Sequence, residues 1–136
     1  MKILNLLTIL VFILGMNLSC SAQAEKKPSK KTVSQANDVE VYYFHYTRRC
    51  ATCNAVEKVS EEAVKELYGD RIPFKSFNLD DPEGKEKASQ LEISGQSLLI
   101  VSGDQKINIT NEGFMHARSN PGKLKQIISG KLSSLL

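Results

Sequence analysis

The 136-residue chain has no tryptophan, two histidines and three cysteines, and each shortage argues against a class of reading. A small exported fold stapled by disulfides needs more cysteines than one close pair and a single outlier. A zinc site on the pair Cys50 and Cys53 would need two further ligands, and only His45 and His116 remain to supply them. No stripe of one charge sign runs through the sequence. Its 18 basic and 15 acidic residues are interspersed and leave a net charge of +3, so no nucleic-acid interface is expected. Flavin or dinucleotide fingerprints, internal repeats and low-complexity segments are also missing. The length suits one domain with one core and is too short for two.

One long apolar run is present, and it lies at the start. Lys2 is followed by Ile3 to Leu18, interrupted only by Asn5, Thr8, Gly15 and Asn17, and then by small residues. A positive start, an apolar middle and a small-residue end predict a secretory signal peptide over residues 1–24. The run is short for a membrane span. Two cleavage readings compete. Ala22-Gln23-Ala24 would release a soluble chain beginning at Glu25, whereas Leu18-Ser19-Cys20 would leave a lipidated Cys20 anchored to a membrane, although Asn17 stands where such a box prefers Leu. Either outcome removes or acylates Cys20 and leaves one pair of thiols. Residues 25–37 (EKKPSKKTVSQAN) are polar and without periodicity, which predicts a flexible tether. Residues 38–136 are then the folded domain.

Within that domain Val39 to Tyr46 is almost continuously apolar, rich in β-branched and aromatic residues. Such a run predicts a strand buried on both faces. From Cys53 to Tyr68 the period becomes helical: Val56, Val59, Ala63, Val64 and Leu67 share one face, and Gly69 is placed to end the helix. Ile72 to Leu79 predicts a second strand. Asp80-Asp81-Pro82-Glu83 then starts a short helix reaching about Leu91, with an Asp cap and Pro in the first turn. Ser97 to Ser102 and Lys106 to Thr110 predict a hairpin across Gly103-Asp104. A loop follows, and Asn120-Pro121-Gly122 opens a last helix carrying Leu124, Ile127, Ile128, Leu132 and Leu135. The order β-α-β-α-β-β-α predicts an α/β sheet with helices on both faces. Helical crossovers favour parallel pairing among the first three strands, with the hairpin adding an antiparallel one.

The chemistry concentrates in Arg48-Arg49-Cys50-Ala51-Thr52-Cys53-Asn54, a C-x-x-C between strand and helix. In that context the spacing points to thiol redox exchange more than to metal binding or a structural disulfide. Closing so short a loop removes only about 2 kcal/mol of unfolded-state entropy. Cys50, at the helix start, is the expected nucleophile, because helix N–H groups and the helix end favour a thiolate. Cys53, one turn in, is expected to resolve the mixed disulfide. Arg48 and Arg49 either activate Cys50 or stand as a solvated pair. His45, on the strand feeding the site, and His116, in the loop after Met115, are further candidates to line it.

The element order, together with Asn78-Leu79-Asp80-Asp81-Pro82 and Ile93-Ser94-Gly95-Gln96-Ser97-Leu98-Leu99-Ile100-Val101, resembles the thioredoxin-like superfamily from about Val39 to Leu132. The run Tyr43 to Glu57 resembles, more narrowly, an exported bacterial family of nitrophenyl compound nitroreductase subunits. The superfamily likeness implies a three-layer α/β/α fold with a mixed four-stranded sheet and a redox-active Cys50–Cys53 couple. Its pattern also implies three departures here. Ser97 stands where the family places a cis-proline, Phe44 where it buries an Asp beneath the pair, and Arg49 where it has Trp before the first cysteine.

These readings lead to an exported thiol–disulfide oxidoreductase or electron carrier, in the periplasm or outer envelope, acting on a particular envelope partner protein. It is expected to be a monomer without cofactor or resident metal, touching a membrane only through a lipid anchor. The rival is a binding module for a soft metal or arsenical using the same two thiolates.

Overall fold

A computed structural model describes residues 38–136. The stretches expected to be a signal peptide (residues 1–24) and a flexible tether (25–37), with the candidate lipidation site Cys20, lie outside the described residues.

The centre of the fold is β1 (Val39–His45), whose side chains are almost all buried. Alternation sends them to two separate cores. Val39, Val41 and Tyr43 join Val56, Val59, Ala63 and Val64 of α1 (Ala51–Tyr68), together with Leu124, Ile128 and Leu132 from the last helix. Tyr42 and Phe44 face the other way, packing with Leu79, Ala88, Leu99 and Val101. Gly69 ends α1 as its sequence position predicts, at φ +58° with its N–H donating to the Lys65 carbonyl. Leu67 departs from expectation: it lies on the apolar face but is exposed. Eighteen residues make α1 about 27 Å long at 1.5 Å per residue; in its last turn Tyr68, not Leu67, packs against the core.

A short 3₁₀ turn (Gly69–Arg71) leads to β2 (Phe74–Asn78), then α2 (Pro82–Gln90), β3 (Ser97–Ser102) and β4 (Gln105–Asn108). The sheet order is β2-β1-β3-β4. β1 and β2 run parallel, with Phe44 opposite Phe77. β1 and β3 run antiparallel, with Phe44 opposite Ser97, which corrects the parallel pairing expected there. The reason lies in α2, only nine residues long, and in the irregular stretch Leu91 to Gln96 that follows it. That stretch is long enough, at about 3.3 Å per residue, to undo the helix's advance of about 13 Å. The chain therefore re-enters the sheet at the end it left. β3 and β4 form the predicted hairpin, turning at Gly103 with φ +55°.

Two helices complete the first layer. α3 (Thr110–His116) occupies a stretch expected to be strand end and loop. It packs so closely that a Cβ at Gly113 would lie 3.2 Å from Val56 and 3.3 Å from Leu98. α4 (Pro121–Ser133) starts as predicted, with the Asn120 side chain accepting the Lys123 N–H at 3.1 Å. With α2 on the opposite face, the architecture is the three-layer α/β/α with a mixed four-stranded sheet. Among the described residues no helix is long and apolar enough to cross a membrane.

Two glycines separate close packing from open space. A Cβ at Gly84, in the first turn of α2, would collide with the Asn78 backbone carbonyl, whereas Gly130 in α4 has nothing nearby. Gly84→Ala is expected to lower stability by about 3 kcal/mol in urea unfolding. Gly130→Ala should raise it by about 0.5–1 kcal/mol, because alanine costs less backbone entropy in a helix. Equal effects at the two positions would contradict the packing of α2 on the β2 exit.

Candidate active site

Strand β1 ends at His45, and five residues later Cys50 caps α1. Its backbone is extended (φ −81°, ψ 168°), its carbonyl accepts the Asn54 N–H at 3.1 Å, and its sulfur accepts the Cys53 N–H at 3.3 Å. Serine or aspartate ordinarily fills this position, satisfying an N–H that the helix cannot. Here the atom doing so is a thiol. Cys50 is exposed and Cys53 buried, both are free, and their sulfurs lie 2.8 Å apart. A disulfide of about 2.05 Å is reached by a small rotation of either side chain.

The Cys50 thiol is held below its usual range. The largest cause is the hydrogen bond with the Cys53 thiol, followed by the Cys53 N–H, while desolvation opposes them. Arg49 contributes differently from expectation: its guanidinium pairs with Glu57 on α1, so its charge is already matched. Arg48 is exposed and takes part in no hydrogen bond or ion pair among the described residues.

The position beneath the pair also needs correcting. Phe44 is fully buried on the α2 face, away from the cysteines. Period-2 alternation gives that place to Tyr43, whose hydroxyl donates to the Cys53 carbonyl at 3.1 Å. Burial, then Cys53 and Glu57, push the Tyr43 phenol up, so it remains a neutral donor. His45 is buried beside it, the two rings 5.9 Å apart, and its Nδ1 lies 3.0 Å from the Tyr46 carbonyl. Facing a carbonyl, that nitrogen carries the proton.

Ser97 is buried at the start of β3, with its hydroxyl donating to the Gly95 carbonyl at 2.9 Å. No cis peptide bond occurs among the described residues. The side chain that reaches the cysteines comes from Gln96, one residue earlier: its Nε2 lies 3.6 Å and its Oε1 3.8 Å from the Cys53 sulfur. Sequence reasoning passed over Gln96, because a half-buried glutamine before a strand carries no distinctive spacing. His116, at the end of α3, has no hydrogen bond to either thiol among the described residues.

A second missed contributor is Asp80. It was expected to help cap α2, but the N-cap is Asp81, which makes no side-chain cap bond. Asp80 instead accepts the Thr47 N–H at 2.8 Å, while Asn78 donates to the Thr47 hydroxyl at 3.0 Å. The β1–α1 loop is thereby tied to the β2 exit. The Thr47 N–H is the main reason the Asp80 carboxyl is held below its ordinary range.

Cys50→Ala removes the helix cap and is expected to cost about 1 kcal/mol, whereas Cys50→Ser keeps it. Because the folded-state thiol is depressed, the reduced protein should gain stability over Cys50→Ser as pH rises toward the free-thiol range of about 8.5. That gain is lost as pH falls through the depressed value. Parallel pH profiles for the two proteins in chemical denaturation would contradict the depressed Cys50 thiol.

No family model matches the chain, and no curated protein matches it. Solved structures do. Thioredoxin O2 from Arabidopsis thaliana, in its oxidised state, is 18% identical over 69% of this chain and 75% of its own, with a TM-score of 0.50. Chloroplastic thioredoxin z is 20% identical over 72% and 80%, also at 0.50. The thioredoxin of Malassezia sympodialis is 22% identical over 74% and 80%, at 0.51. No comparison supports the narrower likeness to nitroreductase subunits. Residues 38–136 have the thioredoxin-like fold.

Proposed function

We propose that this protein is a thiol–disulfide oxidoreductase in which Cys50 is the nucleophile and Cys53 the resolving thiol. The observation that carries this reading is an exposed, depressed thiol capping a helix, 2.8 Å from a buried free thiol. The Cys50 thiolate attacks a disulfide of the partner, breaking that bond and releasing one partner sulfur as a thiolate. Cys53 then attacks the Cys50 sulfur, the mixed disulfide breaks, and the second partner sulfur leaves. Two electrons and two protons have passed to the partner, and the oxidised pair is reset by a second dithiol. The same steps run backwards oxidise a partner dithiol.

The partner is a particular envelope protein, and the protein works as an exported monomer, soluble or anchored through Cys20. The signal-peptide pattern of residues 1–24 supports export. Ser97 at the β3 entrance, where the resemblance places a proline, supports narrow partner choice, because it keeps a backbone N–H that proline lacks. Among the described residues no cluster of three or more His, Cys, Asp or Glu could hold a metal ion. Among the described residues, a soft metal or arsenical bound here would find the two thiolates of Cys50 and Cys53.

Cys53→Ser lacks the resolving thiol and should accumulate a discrete mixed disulfide through Cys50 in the cell envelope, visible as a band that reductant removes. Cys50→Ser should form none, and turnover of insulin by the wild type should be weak. A purified protein with no reversible dithiol couple but stoichiometric thiol-bound metal would falsify this reading in favour of the binding module.

A further inference from the structure

Resolution requires a buried thiol to become a nucleophile, and burial opposes that. Cys53 is only 4% exposed, so water cannot readily solvate a charge on its sulfur. Both of its polar neighbours on the helix side are otherwise engaged. The Tyr43 hydroxyl donates to the Cys53 carbonyl and so holds the backbone of that turn. The Cys53 N–H donates to the Cys50 sulfur. Besides the Cys50 sulfur at 2.8 Å, the polar group at the Cys53 sulfur among the described residues is the Gln96 carboxamide, which approaches with Nε2 at 3.6 Å and Oε1 at 3.8 Å.

We infer that Gln96 is the positioning residue of the resolving step, holding the Cys53 sulfur toward Cys50 and stabilising its charge as it attacks. The two carboxamide atoms do different work from one rotamer. In the mixed disulfide the Cys50 sulfur is bonded to the partner and no longer takes the Cys53 S–H; Oε1 then accepts that S–H, and Nε2–H donates to the thiolate once the proton has gone. Because both atoms face the sulfur, no swing of the side chain separates the two states. A hydrogen bond to an ionised sulfur is stronger than one to a neutral group. Gln96 takes no proton itself. In the mixed disulfide, Cys53 forms the new S–S bond to Cys50, the Cys50–partner bond breaks, and the departing partner thiolate accepts the proton Cys53 gives up. No outside oxidant enters this step. The fold makes the placement possible, because the antiparallel entry of β3 beside β1 brings residue 96 to the end of the sheet where α1 starts.

The inference rests on the exchange chemistry proposed above, and Ellman's reagent separates the two. The reduced protein attacks the reagent through Cys50 and releases one nitrothiophenolate; Cys53 then resolves the adduct and releases a second. With Gln96→Leu, the second release should slow about tenfold, the scale of one hydrogen bond to a charged group. The first release should stay within about twofold of wild type, since the hydrogen bonds of Gln96 go to Cys53 and none goes to Cys50 among the described residues. Gln96→Glu, close in shape and so a safeguard against misfolding, should slow the second release further at neutral pH, by setting a carboxylate against the forming thiolate. Unchanged second-phase kinetics in both variants, or equal slowing of both phases, would overturn the role of Gln96 and leave the function standing. A wild type that releases a single equivalent would overturn the resolving role of Cys53, and with it both readings.

Discussion

The hydrogen bond from the Cys53 N–H to the Cys50 sulfur is the constraint on which the site depends. A helix start must satisfy N–H groups that have no partner within the helix, and here a thiol meets one of them. Structural and chemical needs therefore coincide in one atom: the group that starts α1 is also the group whose charge the helix end favours. The 2.8 Å approach of the second sulfur follows directly, since residues three apart on a helix lie on the same side.

For that cap to face a partner, the chain must leave the sheet at the right place. β1 is buried on both faces and lies between β2 and β3, so its exit is fixed by the sheet and both cores. Three short polar links then shape the exit. Asp80 fixes Thr47 from the β2 side, Tyr43 fixes the Cys53 carbonyl from below, and Gln96 reaches the Cys53 sulfur from the β3 side. Arg49 and Glu57 neutralise each other along the flank of α1. An opening at the carboxyl end of a central strand is where α/β sheets place their ligands.

Much of this was legible from residue pattern. The buried central strand, the amphipathic α1 ended by Gly69, the Asn120-Pro121 start of α4 and the Gly103 hairpin each rest on local rules. The antiparallel β3 was not legible, because the direction of a strand after a short helix depends on how the following coil folds back. α3 was not legible either. Its seven residues carry little periodicity, and it is held by Gly113 against Val56 and Leu98, and by Thr110 accepting the Leu98 N–H at 2.9 Å.

Within the site, the sequence by itself determined which residues are thiols, their spacing, and that a helix follows them, because C-x-x-C and helical period are local properties of the chain. Only the tertiary structure decided what surrounds those thiols. Whether Tyr43 or Phe44 lies beneath them turns on one residue of strand register, since neighbouring side chains point to opposite faces. Whether Ser97 or Gln96 meets Cys53 turns on contacts between segments 43 residues apart. Such contacts follow from packing the sheet and its two helical layers together, and no local pattern in the sequence encodes them.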